Sequence, residues 1–135
     1  MPRRPSSCPT DVELQILEVL WQCGPSTVRQ VHGALAAERD TGYSTTLKMM
    51  QVMRDKGLLV RDDSVRPQLY RAAQPREETQ LLMLDNLIDK VFRGSAQNLV
   101  MQILSAQRVR PDELAEMQRL VDEAKRTSEN ERRKT

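Results

Sequence analysis

The chain has 135 residues, room for one domain or two small ones, and with one Trp, one Phe and two Tyr its core must come from Leu, Val, Ile and seven Met. The formal net charge is +2, no run approaches the roughly 18 apolar residues of a membrane span, and the opening "MPRRPSSCPTD" lacks the apolar stretch of a signal peptide. Two cysteines and one histidine at no zinc-site spacing give no metal centre, so membrane and metalloenzyme classes are set aside and a cytoplasmic chain with reduced thiols is expected.

Residues 1–9 read as a flexible arm. Thr10-Asp11-Val12-Glu13 is a capping box that opens a first helix, with Val12, Ile16, Leu17, Val19 and Leu20 as its apolar stripe, and Gly24-Pro25 stops it. Ser26 is the expected N-cap of a second helix, apolar at Val28, Val31, Ala34 and Leu35, running to about Glu38. After the loop "RDTGYS", Ser44 or Thr45 is expected to cap a third helix. On it Thr46, Leu47, Met50 and Met53 share a packed side, while Ser44, Thr45, Lys48, Gln51, Val52 and Asp55 share the other, and Gly57 ends it.

"LLVR" (58–61) and "QLYRAA" (68–73) have strand character, and "DDSVRP" between them is a turn. Pro75 opens a second region. Leu81, Leu84, Leu87, Ile88 and Val91 recur at helical spacing up to the break at Gly94. Ser95 is placed to cap a helix carrying Leu99, Val100, Ile103 and Leu104. Pro111 starts a last helix with Asp112 and Glu113 at its positive end and Leu114, Met117, Leu120, Val121 and Ala124 on its apolar side. From Thr127 a polar tail is expected to fray. The fold class is mainly α: a winged helix-turn-helix (three helices plus a β-hairpin wing) over 10–74, then a three-helix dimerisation region over 75–126 and a polar tail over 127–135.

Charge is unevenly placed. From Ser44 to Arg71 there are six basic and three acidic residues, a local +3, whereas Pro75 to Thr135 holds eleven of each and is neutral. The positive excess lies where a third helix precedes a hairpin, an order that suits DNA. A slim helix rich in small polar residues can enter a major groove about 12 Å wide, with Ser44, Thr45, Thr46, Lys48 and Gln51 reaching base edges or phosphates and Thr methyls suiting thymine methyls. The wing would add Arg66 at its bend, helped by Arg61. Winged helices also serve as protein-binding modules, so an adaptor without DNA binding is the competing expectation.

Catalysis is not expected. His32 falls on the packed side of the second helix, no Ser–His–acid or Cys–His pair can be assembled, and the five glycines are dispersed rather than grouped into a phosphate loop. No cofactor is implied. No polar cluster marks a pocket for a small effector.

The segment from Leu20 to Arg61 resembles the penicillinase repressor family (BlaI/MecI type, with the copper-responsive CopY repressors as relatives). The shared pieces are Leu20-Trp21, Gly24-Pro25, Thr27-Val28-Arg29, Val31-His32, Tyr43-Ser44-Thr45 and Lys56-Gly57-Leu58, followed by "YRAAQPREE" and "FRGSAQNLVMQIL". The likeness covers residues 10–126. It implies a homodimeric repressor whose winged domains, Arg29 included, bind an inverted-repeat operator while the last three helices interlock two chains. A neutral, leucine-rich second half with a wide apolar stripe also needs something to bury it, and a two-fold dimer reads a palindrome by symmetry. In some relatives a sensor protease triggers cleavage in the helix after Gly-Ser. The aligned bond here is Gln102–Ile103, where those relatives have Asn-Phe. Copper-sensing relatives carry paired Cys-x-Cys motifs, and this chain has no cysteine after Cys23. Val52 departs from the basic or polar residue that relatives often place there.

Overall fold

A computed structural model describes residues 8–37 and 40–134. Most of the expected arm, the expected end of the second helix at Glu38, and Thr135 lie outside the described residues. The order is α1 (Asp11–Cys23), α2 (Val28–Ala36), α3 (Tyr43–Asp55), β1 (Leu59–Asp62), β2 (Leu69–Ala72), α4 (Arg76–Val91), α5 (Ala96–Ser105) and α6 (Pro111–Lys134). This is the winged helix-turn-helix arrangement followed by three further helices.

Local chemistry sets the starts of α1 and α2. Thr10 Oγ1 accepts from the Glu13 amide at 3.2 Å and Glu13 Oε1 accepts from the Thr10 amide at 3.0 Å, the reciprocal pair of a capping box. A second box opens α2, but its cap is Thr27 with Gln30, not Ser26. Ser26 has another task. Its amide donates to the Tyr70 carbonyl at 2.9 Å and its carbonyl accepts from the Tyr70 amide at 2.8 Å, so the residue before the cap forms an isolated bridge to β2.

The end of α3 is equally explicit. Gly57 takes φ +86, the Leu58 amide donates to the Met53 carbonyl at 2.9 Å, and the Gly57 amide donates to the Arg54 carbonyl at 3.0 Å. That is a Schellman motif, and its hydrophobic partners Leu58 and Met53 are both buried. The chain is thereby turned straight into β1, which pairs antiparallel with β2 in the register Leu59↔Ala72, Val60↔Arg71, Arg61↔Tyr70 and Asp62↔Leu69. At the wing bend Asp62 Oδ1 accepts from the Ser64 amide at 2.9 Å, an Asx turn.

The core gathers Ile16, Leu17, Leu20, Val28, Val31, Leu35, Met50, Met53, Leu58, Leu59 and Tyr70. Tyr70, 1% exposed, is the largest fully buried side chain and the means by which the wing is held to the helices. Glu13 is buried too, and its Oε2 lies 2.9 Å from Lys56 Nζ, joining the start of α1 to the residue that caps α3. Burial opposes ionisation of Glu13, but the Thr10 amide and the Lys56 ammonium outweigh it and hold its carboxyl below the ordinary glutamate value.

The structure divides into two compact units, and the division falls inside α4, between Leu87 and Ile88, rather than at Pro75. The root of α4 belongs to the winged unit for a visible reason. Trp21 Nε1 donates to the Gln74 carbonyl at 3.0 Å, Arg76 pairs with Glu18 at 3.0 Å, the Arg76 guanidinium lies over the Trp21 ring at 5.6 Å, and Thr79 is buried. Pro9 is also buried and Cys8 half-buried, so the expected arm is packed at its inner end. In the second unit, Ser95 caps α5 by accepting from the Asn98 amide at 3.1 Å. The tail expected to fray from Thr127 instead continues α6 to Lys134, with three basic residues in the last turn facing the negative end of the helix dipole.

Two outcomes test this account. Tyr70→Ala should cost about 3–5 kcal/mol in urea unfolding, the usual range for deleting a buried aromatic. The lowered Glu13 pKa contributes stability that is present above its ordinary value of about 4.3 and is lost as pH falls through the lower folded value. Glu13→Gln should therefore reduce the melting temperature at neutral pH and flatten its fall in acid, read by circular dichroism melts at a series of pH values.

Candidate nucleic-acid interface

The geometry of α3 follows from its packing. Thr46, Met50 and Met53 are each 0% exposed. With 3.6 residues per turn, burying those positions turns Ser44, Thr45, Lys48, Gln51 and Val52 outward, and all five are exposed. Ser44, Thr45 and Lys48 line one shallow concavity together with Met49 and Val52. Lys48 makes no ion pair among the described residues.

Two expectations for this helix are corrected. Neither Ser44 nor Thr45 is its cap: Gly42 holds that position and offers no side chain to the first turn. Thr46 is not placed to meet DNA. It lies beneath the helix, where its Oγ1 is 3.2 Å from His32 Nδ1 and 3.5 Å from the Gly42 carbonyl. Its hydroxyl meets α2 at His32, because position 46 falls on the same helix face as Met50 and Met53.

The wing presents its arginines unequally. Arg66, on the bend, is exposed and has no ion pair among the described residues. Arg61 is half-buried and committed within the hairpin: its Nη2 donates to Asp63 Oδ2 at 3.3 Å while its Nε also faces that carboxylate. Hydrogen bonding to Asp63, and next to Tyr70, raises its pKa further. The sequence places Arg66 at the bend with Arg61 as its helper, and the structure withdraws Arg61 further, because Asp63 stands two residues from Arg61 and pairs with it.

Arg29 is exposed in the first turn of α2, with its guanidinium 5.0 Å from the centroid of the Tyr43 ring. Tyr43 opens α3 and also meets the edge of His32, with ring centroids 5.8 Å apart at 85°. The sequence reading gave Tyr43 no role of its own. The available signal was its place one residue after a glycine and three before Thr46, which sets it at the rim of the helix rather than on the packed stripe.

The residues expected to dimerise are not closed over by their own chain. No residue from 80 to 134 is buried, and Leu81, Leu84, Leu87, Val91, Val100, Leu104, Leu114, Leu120 and Val121 are exposed, Leu81 at 59% and Val91 at 64%. Ile88, Leu99, Ile103 and Met117 are half-buried. Gln102 and Ile103 lie inside α5, and their carbonyls accept from the Ala106 and Arg108 amides at 2.9 and 3.5 Å. At the root of α4, Pro9, Leu17, Leu58, Leu81 and Leu82 line a mainly apolar cleft of about 400 Å³. Cys8 and Cys23 are free thiols. Among the described residues no helix is long and apolar enough to cross a membrane.

Comparison with known proteins agrees with this geometry. The sequence model of the penicillinase repressor family matches residues 9–123. The transcriptional regulator BlaI of Mycobacterium tuberculosis, from both strain CDC 1551 / Oshkosh and strain ATCC 25618 / H37Rv, is 35% identical over 117 residues, covering 84% of this chain and 82% of the relative. With a winged helix-turn-helix in place and the family pattern spanning both units, the chain belongs to the penicillinase repressor family.

Proposed function

We propose that this protein is a homodimeric, sequence-specific DNA-binding transcriptional repressor that recognises an inverted-repeat operator. The observation that carries the reading is the outer face of α3: Ser44, Thr45, Lys48 and Gln51 exposed together on a helix whose other side is locked into the core, with Arg66 exposed on the adjoining wing. Small hydroxyl and amide side chains at the start of the helix read base edges in the major groove, and Lys48, Arg29 and Arg66 contact phosphates. Membership of a repressor family supports the regulatory role.

The homodimer rests on the second observation, the apolar surface from Leu81 to Val121. A chain rarely leaves so many large apolar side chains in water, and symmetric copies bury such surface against one another. Two copies related by a two-fold axis present two α3 helices to two half-sites of a palindrome. Cleavage at Gln102–Ile103 by a sensor protease would first require α5 to open, since both carbonyls are engaged in helix hydrogen bonds.

Capture of sheared genomic DNA on the purified protein, followed by sequencing, should return a recurring inverted repeat upstream of a small set of genes. On that duplex Lys48→Ala and Arg66→Ala should each weaken binding about uniformly across sequences and lower the slope of log affinity against log salt by about one. The adaptor reading instead expects no salt-dependent retention on duplex DNA at all. Sedimentation should show a dimer, and the pair Leu84→Asp and Leu120→Asp should yield monomers that lose operator affinity while the winged unit keeps its melting transition. A chain that sediments as a monomer before substitution would sink the dimer.

A further inference from the structure

The helix that reads DNA is the one among the first three with no side chain capping its start. α1 and α2 each open with a complete capping box, whereas α3 opens on Gly42. Its first turn is held from outside, by α2. Thr46 Oγ1 lies within reach of both the Gly42 carbonyl and His32 Nδ1. When the hydroxyl donates to the carbonyl, its oxygen is left to accept from an Nδ1–H of His32. The His32 ring in turn meets the Tyr43 ring edge to face, and the Tyr43 ring carries the Arg29 guanidinium at 5.0 Å.

These four side chains run in sequence from the core to the surface. Thr46 is fully buried, His32 half-buried, Tyr43 40% exposed and Arg29 exposed. Arg29 has no carboxylate partner among the described residues, so the aromatic face is what restrains it. An unrestrained arginine loses much rotamer freedom when it docks on a phosphate, and a guanidinium already laid on a ring loses less. A cation over an exposed ring gains about 0.5–1 kcal/mol, enough to bias one orientation.

We infer that Tyr43 and His32 are positioning residues: they brace the start of α3 against α2, His32 through Thr46, and hold the Arg29 guanidinium ready for a DNA phosphate beside the reading face. The inference rests on α3 being the DNA-reading helix. Neither residue touches DNA in this arrangement; both act through Arg29 and through the placement of Ser44 and Thr45.

The test uses the full chain and the duplex that the unaltered protein captures from genomic DNA, with fluorescence anisotropy across a salt series. Tyr43→Leu should weaken binding roughly two- to fivefold, the fold-change that corresponds to the cation–ring contact, with the salt slope kept, whereas Arg29→Ala should lower the slope by about one. The double variant should bind no more weakly than Arg29→Ala alone, since the two act as one unit. Tyr43→Phe keeps the ring and should restore most of what Tyr43→Leu loses. His32→Leu should weaken binding, and His32→Asn, which offers an amide N–H where Nδ1–H stood, should recover it. Unchanged affinity in Tyr43→Leu, additive losses in the double variant, or Asn no better than Leu at position 32 would each overturn the inference. Failure of the unaltered chain to bind duplex DNA in a salt-dependent way would overturn the DNA reading itself.

Discussion

The outward face of α3 exists because its opposite face cannot leave the core. Thr46, Met50 and Met53 have no exposed surface at all, and a helix is too stiff for its two sides to move independently. In a chain so poor in aromatic residues, two methionines and a threonine have to fill this space, and methionine is well suited to irregular gaps. The rest of the winged unit follows from that anchorage. The Schellman turn at Gly57 directs the chain into the wing, Tyr70 brings the wing back onto the helices, and Lys56, the residue before that glycine, reaches the buried Glu13 at the far end of α1.

Much of this was legible in the sequence, because the signals are local. A Thr followed three residues later by Glu marks the start of α1, and glycines at 24 and 57 mark two helix ends with positive φ. What could not be read is what depends on distant partners. Ser26 looks like a helix cap until Tyr70 is placed beside its backbone. Thr46 falls on the packed stripe by periodicity yet its hydroxyl also suits DNA, and only His32 arriving from α2 shows where that hydroxyl is used. Arg61 looks like a helper of Arg66 until the hairpin folds Asp63 onto it. Pro75 looks like a domain boundary until Trp21 and Glu18 are seen to hold the first turn of α4. The length of α6 is hard to read for a different reason: a polar segment without an apolar stripe reads as a tail, yet the helix runs on to Lys134, with the Thr127 hydroxyl donating to the Glu123 carbonyl at 3.1 Å and a basic last turn facing the helix dipole.

The candidate site shows the same division. Ser44, Thr45, Lys48 and Gln51 could be named from helical periodicity alone, since a buried stripe dictates its own complement. The aromatic contact between Arg29 and Tyr43 could not, because it joins two helices across a loop whose course no local rule sets. Val52 and Met49 add apolar surface to a face otherwise made of hydroxyls and one ammonium, a mixture that suits thymine methyls as well as phosphates.

The leucines and valines left in water between Leu81 and Val121 have a consequence for how such a protein behaves in a cell. If their cover is a second copy, folding of that half is a bimolecular event, and its free energy includes the logarithm of how much protein is present. Occupancy of a palindromic site would then rise more steeply than in proportion to abundance at low copy number. A modest change in synthesis or turnover would act as a threshold, with no ligand needed to set it.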